Sequence, residues 1–316
     1  MAMRHFVTGG AGFIGSHLVD RLLWDTDNSV TVYDNLSSGK EEFIKHHFGG
    51  KNFHFAKADL LDLSALKDAL KGHDLVHHLA ANPDIRLGTA VPETDLRQGT
   101  LATFNLLEAM RATGVRKIAF SSSSVVYGEA EKIPTPEDYG PLVPISLYAA
   151  AKLGAEGLIT AYCHSFEMQS WIFRFANVIG PRSTHGVIFD FINKLRKNPE
   201  ELEILGNGKQ RKAYLTVDDC VDAMLFVIGR SKDTVNIFNL GCEEQVKVTR
   251  IAEIIREEMG LPGAKFRYTG GERGWKGDVR AMLLSIERLK ALGWRPTTTS
   301  EQAVRLAVRA GLGKGT

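Results

Sequence analysis

The sequence predicts an α/β protein built on a doubly wound parallel sheet, with a smaller C-terminal α/β lobe. Three observations predict it. Short apolar runs alternate with amphipathic helical stretches through the first half of the chain. A glycine-rich turn joins the first run to the first helix. After about residue 178 the alternation loosens, and Pro181, Gly186, Pro199, Gly206 and Gly208 punctuate shorter elements. Strand–helix–strand alternation implies crossover connections, hence a parallel sheet with helices on both faces.

In chain order, "RHFVT" (4–8), "VTVYD" (30–34), "FHFA" (53–56), "DLVHHL" (74–79), "KIAFSS" (117–122) and "WIFRF" (171–175) read as strands. Each is rich in Val, Ile or Phe, or is bounded by polar or glycine residues. The stretches 13–24, 62–71 and 96–113 read as the intervening helices, and a further helix carries Tyr148. Residues 216–230 read as a helix with Thr216 as its N-cap, ahead of acidic first-turn residues. "NIFNLG" (236–241) reads as a strand able to return to the main sheet. Residues 249–259, 285–292 and 300–310 look helical. The expected division is 1–177 for a dinucleotide-binding domain and 178–316 for the second lobe, with elements of 214–241 free to rejoin the first.

Composition excludes several classes. The chain has 316 residues, 44% hydrophobic and 24% charged, with a net charge of +2. Such a balance gives no electrostatic case for nucleic acid or an anionic membrane. No apolar run approaches the ~20 residues that span a bilayer. The first strand is reached almost at once, so no cleaved leader is expected. Three widely spaced cysteines, Cys163, Cys220 and Cys242, fit neither a zinc motif nor a disulfide framework. A reducing cytoplasm is the expected setting.

"VTGGAGFIG" places Gly9, Gly12 and Gly15 directly after a strand and into a helix. Glycine permits the tight turn and the close approach of backbone to a pyrophosphate. The helix N-terminus then offers N–H groups and the positive end of its dipole. This is the Rossmann-type arrangement. Asp34 ends the second strand. A carboxylate there accepts the hydroxyls of an adenosine ribose and repels a 2′-phosphate, which favours NAD over NADP. Asp59 is placed to reach the adenine edge. The small residues of "HLAAN" (78–82) let a nicotinamide-side ribose pack closely.

Tyr148 and Lys152 are four apart in "SLYAAAKLGAE", one turn apart on a helix face. Alone, the pair reads as a solvated helix surface. Near the C-terminal edge of a parallel sheet it reads otherwise, because ligands collect there. The serines of "SSSSVVYG" end a strand at that edge. A phenol with an ordinary pKa of ~10 is a poor base at neutral pH. An adjacent ammonium and an oxidised nicotinamide ring both favour the phenolate.

The motifs "TGGAGFIGSHLVDRL", "YDNLSSG", "HLAA", "FSSSSVVYG", "YAAAK", "RFANVIGPR" and "RGWKGDV" resemble the extended short-chain dehydrogenase/reductase family. Within it they are similar to the UDP-glucose 4-epimerase-like branch of nucleotide-sugar epimerases, in its archaeal-type form. The resemblance runs over nearly the whole chain and implies an NAD-dependent isomerase. It makes Ser123, Tyr148 and Lys152 catalytic. The cofactor site then comprises Gly9, Gly12, Phe13, Ile14, Gly15, Asp34, Asn35, Ser37, Asp59, Leu60, Leu79, Ala80 and Ala81, together with Tyr148 and Lys152. It implies interconversion of UDP-glucose and UDP-galactose through a transient 4-keto sugar. Dehydratases and decarboxylases of the family carry an acidic residue two or three before "YG", where this chain has Ser124, Val125 and Val126.

For the substrate the resemblance implies Ser123, Ser124, Asn177, Val187, Glu203, Leu205, Arg211, Tyr214, Arg273 and Asp278. Three departures stand out. Lys212 replaces a usual arginine, so Arg211 is the alternative holder of the diphosphate. Trp275 stands three before Asp278, where bacterial relatives have arginine. Gly99 replaces an asparagine that commonly contacts the cofactor, which is expected to weaken cofactor retention. No metal is expected: adjacent histidines in "KHHF" (45–48) and at 77–78 would point to opposite faces of a strand. A homodimer through helices 96–113 and 148–162 is expected from the resemblance. Alternatives are a UDP-N-acetylhexosamine or UDP-glucuronate 4-epimerase, a net oxidoreductase that releases NADH, and a non-catalytic NAD-binding regulator.

Overall fold

The computed structural model describes residues 2–274, 279 and 281–314. The chain divides into two compact units. The first comprises residues 1–126, 144–174 and 224–238, and the second 127–143, 175–223 and 239–316. Against the expected boundary at 177/178, with part of 214–241 free to rejoin the first domain, residues 175–177 group with the second unit. The segment 127–143 also goes with the second unit, and 224–238 goes with the first.

The chain opens with β1 (Arg4–Thr8), α1 (Phe13–Leu23), β2 (Ser29–Tyr33), β3 (Phe53–Ala56), α2 (Leu63–Leu70) and β4 (Leu75–His78). Two short helices, α3 (Ile85–Ala90) and α4 (Glu93–Asp95), lead through a π-helical turn (Leu96–Leu101) into α5 (Ala102–Thr113). There follow β5 (Lys117–Ser123), α6 (Leu147–Ser165) and β6 (Gln169–Phe175). Next come β7 (Asn177–Ile179), α7 (Val187–Lys197), β8 (Glu201–Ile204), β9 (Arg211–Lys212), β10 (Tyr214–Thr216), α8 (Val217–Arg230) and β11 (Val235–Leu240). The remainder is β12 (Val246–Lys247), α9 (Val248–Met259), β13 (Lys265–Tyr268), β14 (Ala281–Met282), α10 (Glu287–Ala291) and α11 (Ser300–Gly311).

The main sheet has seven strands in the order β11-β6-β5-β4-β1-β2-β3. Chain order reverses beside β1, which pairs in parallel with β2 on one side and β4 on the other. Register sets Thr8 opposite both Tyr33 and His78, so the C-terminal ends of the three strands are level. That is where the glycine turn begins, and where a doubly wound sheet binds its ligand.

Local chemistry explains the helix starts. Asp62 accepts the Ala65 N–H at 3.0 Å and caps α2, and Ser146 accepts that of Ala149 at 3.2 Å and caps α6. Thr216 accepts the Asp219 N–H at 3.1 Å, the cap its sequence position predicts. Thr299 and Gln302 form a reciprocal capping box on α11. The first core packs Phe6, Val76, Ile118 and Ile172 of the sheet against Leu66, Leu106, Met110 and Ile159 of the helices. The second packs Phe191, Leu195, Leu202, Ile204, Ile251, Ile255, Val304 and Val308.

One expected helix, 96–113, is not uniform: its first turn and a half is π-helical. The wider turn fits a close approach to α6, where a Cβ on Gly99 would stand 2.8 Å from that of Ala151. Gly99 is therefore demanded by packing, and an asparagine would not fit there unless α6 moved.

Candidate active site

The glycine turn is drawn tight. Gly9 has φ +70°, and a Cβ on it would stand 2.7 Å from the Ala80 amide nitrogen. A Cβ on Gly15 would stand 2.1 Å from the Gly9 carbonyl oxygen. Glycine at these two positions brings β1, the start of α1 and the end of β4 together. Gly12 occupies the N-cap of α1 without a side-chain cap, and Phe13 and Ile14 open the helix. Their N–H groups head a helix whose dipole favours an anion.

Asp34 lies just after β2 and is 8% exposed. Its Oδ2 accepts the Ala11 N–H at 3.0 Å and its Oδ1 that of Leu36 at 2.8 Å. Burial raises its pKa, and those two N–H bonds oppose the rise. Asn35 Nδ2 donates to Asp59 Oδ2 at 2.8 Å, and Asn35 Oδ1 accepts the Ser37 N–H at 2.9 Å. Leu60 is buried beside them. The residues expected at the adenosine end therefore form one cluster around the ends of β2 and β3.

A chain of hydrogen bonds fixes the end of β4. Thr103 Oγ1 donates to the Gly99 carbonyl at 2.6 Å, so its lone pair accepts from His78 Nε2 at 3.0 Å. His78 Nδ1 is then free to accept the Thr8 hydroxyl at 2.8 Å. Thr8 Oγ1 also accepts the Ala80 N–H at 3.3 Å, and its carbonyl accepts that of Leu79 at 3.1 Å. Leu79, Ala80 and Ala81 are thus held against the glycine turn. Burial drives the His78 imidazole down to about 3, and the Lys152 charge pushes the same way. It is a neutral structural group.

Ser123 ends β5, and its Oγ accepts the Val125 N–H at 3.4 Å. Ser124 follows, 9% exposed. Lys152 is 4% exposed; its Nζ donates to the Ser121 carbonyl at 2.6 Å and lies 4.7 Å from the centre of the Phe120 ring. Burial lowers its pKa to about 8, against the pull of the Glu156 and Asp95 carboxylates. Nζ lies 5.8 Å from the centre of the Tyr148 ring. Burial raises the phenol's pKa well above the ordinary value, and the Asp95 charge raises it further. The helical spacing put ammonium and phenol on one face, as expected, but desolvation outweighs their attraction here.

Two site residues escaped the sequence reading. Glu156 continues the face of Tyr148 and Lys152 by another turn. It is paired with Arg174 of β6 at 2.7 Å, both side chains being at most 6% exposed. Its Oε1 also accepts the Ser122 hydroxyl. The Tyr-x₃-Lys-x₃-Glu spacing was the available signal. Asp95 is the second. It is 2% exposed and accepts from Asn82 Nδ2 at 3.0 Å.

The residues expected to meet the sugar nucleotide lie in the second unit, apart from Ser123 and Ser124. Asn177 opens β7 and donates its side-chain amide to the Ala213 carbonyl at 3.1 Å. Tyr214 lies opposite it in β10, 4% exposed. Val187 starts α7. Glu203 is held by Arg267 at 2.6 Å and Lys194 at 3.3 Å, and hydrogen bonding to Arg267 lowers its pKa. Leu205 is 41% exposed. Arg211 is exposed and Lys212 half-buried, as neighbours on a strand with opposite faces. Arg273 pairs with Glu129 at 2.8 Å, in contact with solvent. Asp278 and Trp275 lie outside the described residues.

In β4, His77 and His78 face opposite sides and have separate partners, His5 for the one and Thr8 and Thr103 for the other. His46 and His47 instead lie in a 3₁₀ turn, and both reach Asp20 Oδ1, at 2.9 and 2.7 Å. Donor atoms of the three lie within 4.8 Å of one another. Two imidazole N–H donors on one carboxylate oxygen account for this cluster.

Fold and glycine turn define a Rossmann-type dinucleotide-dependent enzyme. The chain belongs to the NAD dependent epimerase/dehydratase family, whose family model matches residues 5–241. It is 33% identical over 314 residues to the UDP-glucose 4-epimerase of Mycolicibacterium smegmatis, covering 97% of each chain. A crystal structure of a UDP-galactose 4-epimerase aligns with a TM-score of 0.87 and 43% identity, over 98% of this chain and 99% of that one. The Thermotoga maritima UDP-glucose 4-epimerase bound to UDP-glucose aligns at 0.88 and 33%, over 98% and 99%. Two other specificities also align. The UDP-N-acetylglucosamine 4-epimerase of Methanobrevibacter ruminantium, with UDP-N-acetylmuramic acid, gives 0.88 and 30% over 99% of each chain. The Bacillus cereus UDP-glucuronic acid 4-epimerase, with UDP-glucuronic acid and NAD, gives 0.89 and 26% over 98% and 99%. NAD is the cofactor, and the uncapped α1 N-terminus, the tight glycine turn and Asp34 fit it.

Proposed function

We propose that this enzyme is a UDP-sugar 4-epimerase acting on UDP-glucose and UDP-galactose. The observation that carries this reading is a Ser123–Tyr148–Lys152 set in the dinucleotide-binding unit with no carboxylate at 124–126. Ser124, Val125 and Val126 form a 3₁₀ turn directly after β5. Elimination or decarboxylation would use an acid there, whereas 4-epimerisation needs only one base and one hydride carrier.

Bound NAD supplies an acceptor, then a donor, for one hydride at the sugar C4′. Tyr148 takes the proton of the 4′-hydroxyl and later returns it to the 4-keto oxygen. Ser123 donates to the same oxygen and stabilises its developing charge. Lys152 places a positive charge beside the phenol from a position fixed by the Ser121 carbonyl, and the Glu156 charge favours that ammonium. In the second unit, Arg211, Lys212 and Arg273 supply cations for the diphosphate. The Arg273–Glu129 pair is surface-exposed, so exchanging Glu129 for a phosphate is cheap. Asn177, Tyr214, Val187, Glu203, Leu205 and Asp278 complete the proposed substrate set.

We further infer a homodimer. Leu96, Leu101 and Phe104 around the start of α5, with Leu147 at the start of α6 and Phe166 just past its end, are large apolar residues at least 37% exposed. A second copy would cover them, and light scattering behind size exclusion tests this. Three buried free cysteines support a reducing, cytoplasmic setting. Among the described residues, no helix is long and apolar enough to cross a membrane.

The test is incubation with UDP-galactose and catalytic NAD, followed by separation of the epimers and absorbance at 340 nm. Inversion at C4′ without accumulated NADH is expected. Tyr148→Phe should lose turnover by at least ~10²-fold while still binding NAD. Accumulating NADH would instead indicate a net oxidoreductase. Inversion of only N-acetylhexosamine or glucuronate substrates would move the specificity to those sugars.

A further inference from the structure

We propose that Asp95 binds the cofactor directly, its Oδ2 accepting a hydroxyl of the nicotinamide-side ribose. The observation is an orphaned oxygen. Asp95 is 2% exposed, its Oδ1 accepts from Asn82, and its Oδ2 has no partner among the described residues. Buried polar atoms are nearly always paired, and a bare carboxylate oxygen is among the costlier exceptions. The backbone wraps closely around it: a Cβ on Gly88 would stand 1.7 Å from Oδ2.

The oxygen's residue faces the reaction. Asp95 lines a small cavity with Asn82, Gly99, Ala151, Tyr148 and Lys152. That space takes about one water-sized group. An ionised carboxylate only accepts, so the missing partner is a donor. Lys152 is already committed to the Ser121 carbonyl at 2.6 Å. A neutral hydroxyl has the right size and supplies the donor. The cavity wall belongs wholly to the unit that carries the glycine turn and Asp34, which points to a cofactor hydroxyl in preference to one from the sugar nucleotide. Asp34 would then hold one ribose of the dinucleotide and Asp95 the other. This rests on the dinucleotide reading and not on the identity of the sugar.

The test uses three probes that differ at this ribose: NAD, ADP-ribose and ADP. Binding is measured by calorimetry for the wild type, Asp95→Ala and Asp95→Asn without sugar nucleotide, alongside urea denaturation of the cofactor-free proteins. The expected result is a 10- to 100-fold weaker binding of NAD and ADP-ribose by Asp95→Ala, typical of a lost hydrogen bond to a charged group. Binding of ADP, which lacks the second ribose, stays within twofold. The cofactor-free variants are at least as resistant to urea as the wild type, because a bare buried charge has gone. Affinity and stability thus move apart. A purely structural role would lower stability, or weaken all three probes equally, and either result overturns the proposal. So does unchanged NAD affinity, which would mean that only water meets Oδ2, or a raised KM for the sugar nucleotide at unchanged NAD affinity. Asp95→Asn repeats the comparison should the alanine variant not fold. A wild type that binds neither NAD nor ADP removes the dinucleotide reading itself, a result distinct from failure at Asp95 alone.

Discussion

The pair Glu156–Arg174 ties α6 to the sheet, and its removal has a calculable effect. Arg174 Nη2 meets Glu156 Oε2 at 2.7 Å and its Nε meets Oε1 at 3.1 Å. The side chains are 4% and 6% exposed, so solvent screens neither. Glu156→Gln keeps the shape and removes the carboxylate charge that faces the buried Arg174 guanidinium. Breaking one side of such a pair costs about 3–5 kcal/mol. With an m-value of roughly 3 kcal/mol/M, the urea midpoint should fall by about 1–1.7 M. The double variant Glu156→Leu with Arg174→Met removes both desolvation penalties and should regain most of that loss. Circular dichroism through a urea series measures both. A double variant as unstable as Glu156→Gln would refute the argument, because packing rather than charge would then be at stake. Lys152 provides a second readout. Glu156 is the first of two carboxylates opposing the fall of its pKa, so the Glu156→Gln lysine should lose its proton below about 8, and the alkaline limb of the activity profile should move down.

Asp34→Asn should weaken NAD by about tenfold and narrow its advantage over NADP, read from the two dissociation constants. Gly99→Asn forces a Cβ to 2.8 Å from that of Ala151 and should cost about 1–3 kcal/mol; Ala151→Gly in the same chain should relieve it. Stability should fall in acid. His5 and His78 are buried with pKa values lowered to about 4 and about 3, and His77 is lowered as well, in each case mainly by burial. Between those values and ~6.5 the unfolded chain binds protons that the folded one does not, so stability is present above ~6.5 and is lost as pH falls. For His78 alone the loss from pH 7 to pH 5 is about 2 kcal/mol. Urea midpoints at the two pH values test this, and His78→Gln should remove about that share of the difference.

What the sequence made legible depends on the range of the rule. The glycine turn, Asp34, the Thr216 cap and the Tyr148–Lys152 face are local: a few residues fix the geometry, and the structure realises each of them. Asp95 was illegible because the π-helical turn after it breaks the 3.6-residue count, and because Asn82, its partner, lies 13 residues away. His46 and His47 were read as strand residues, and it is a tertiary contact with Asp20, 26 and 27 residues earlier, that gathers them. The same limit governs the catalytic pair. Spacing fixes the angle of Lys152 and Tyr148 around the helix but not their depth beneath its surface. Depth sets the effective dielectric, and with it the sign of each pKa shift. Both groups are displaced toward their neutral forms, the ammonium downward and the phenol upward. Spacing therefore locates the two groups, while the sign of each shift follows from their surroundings.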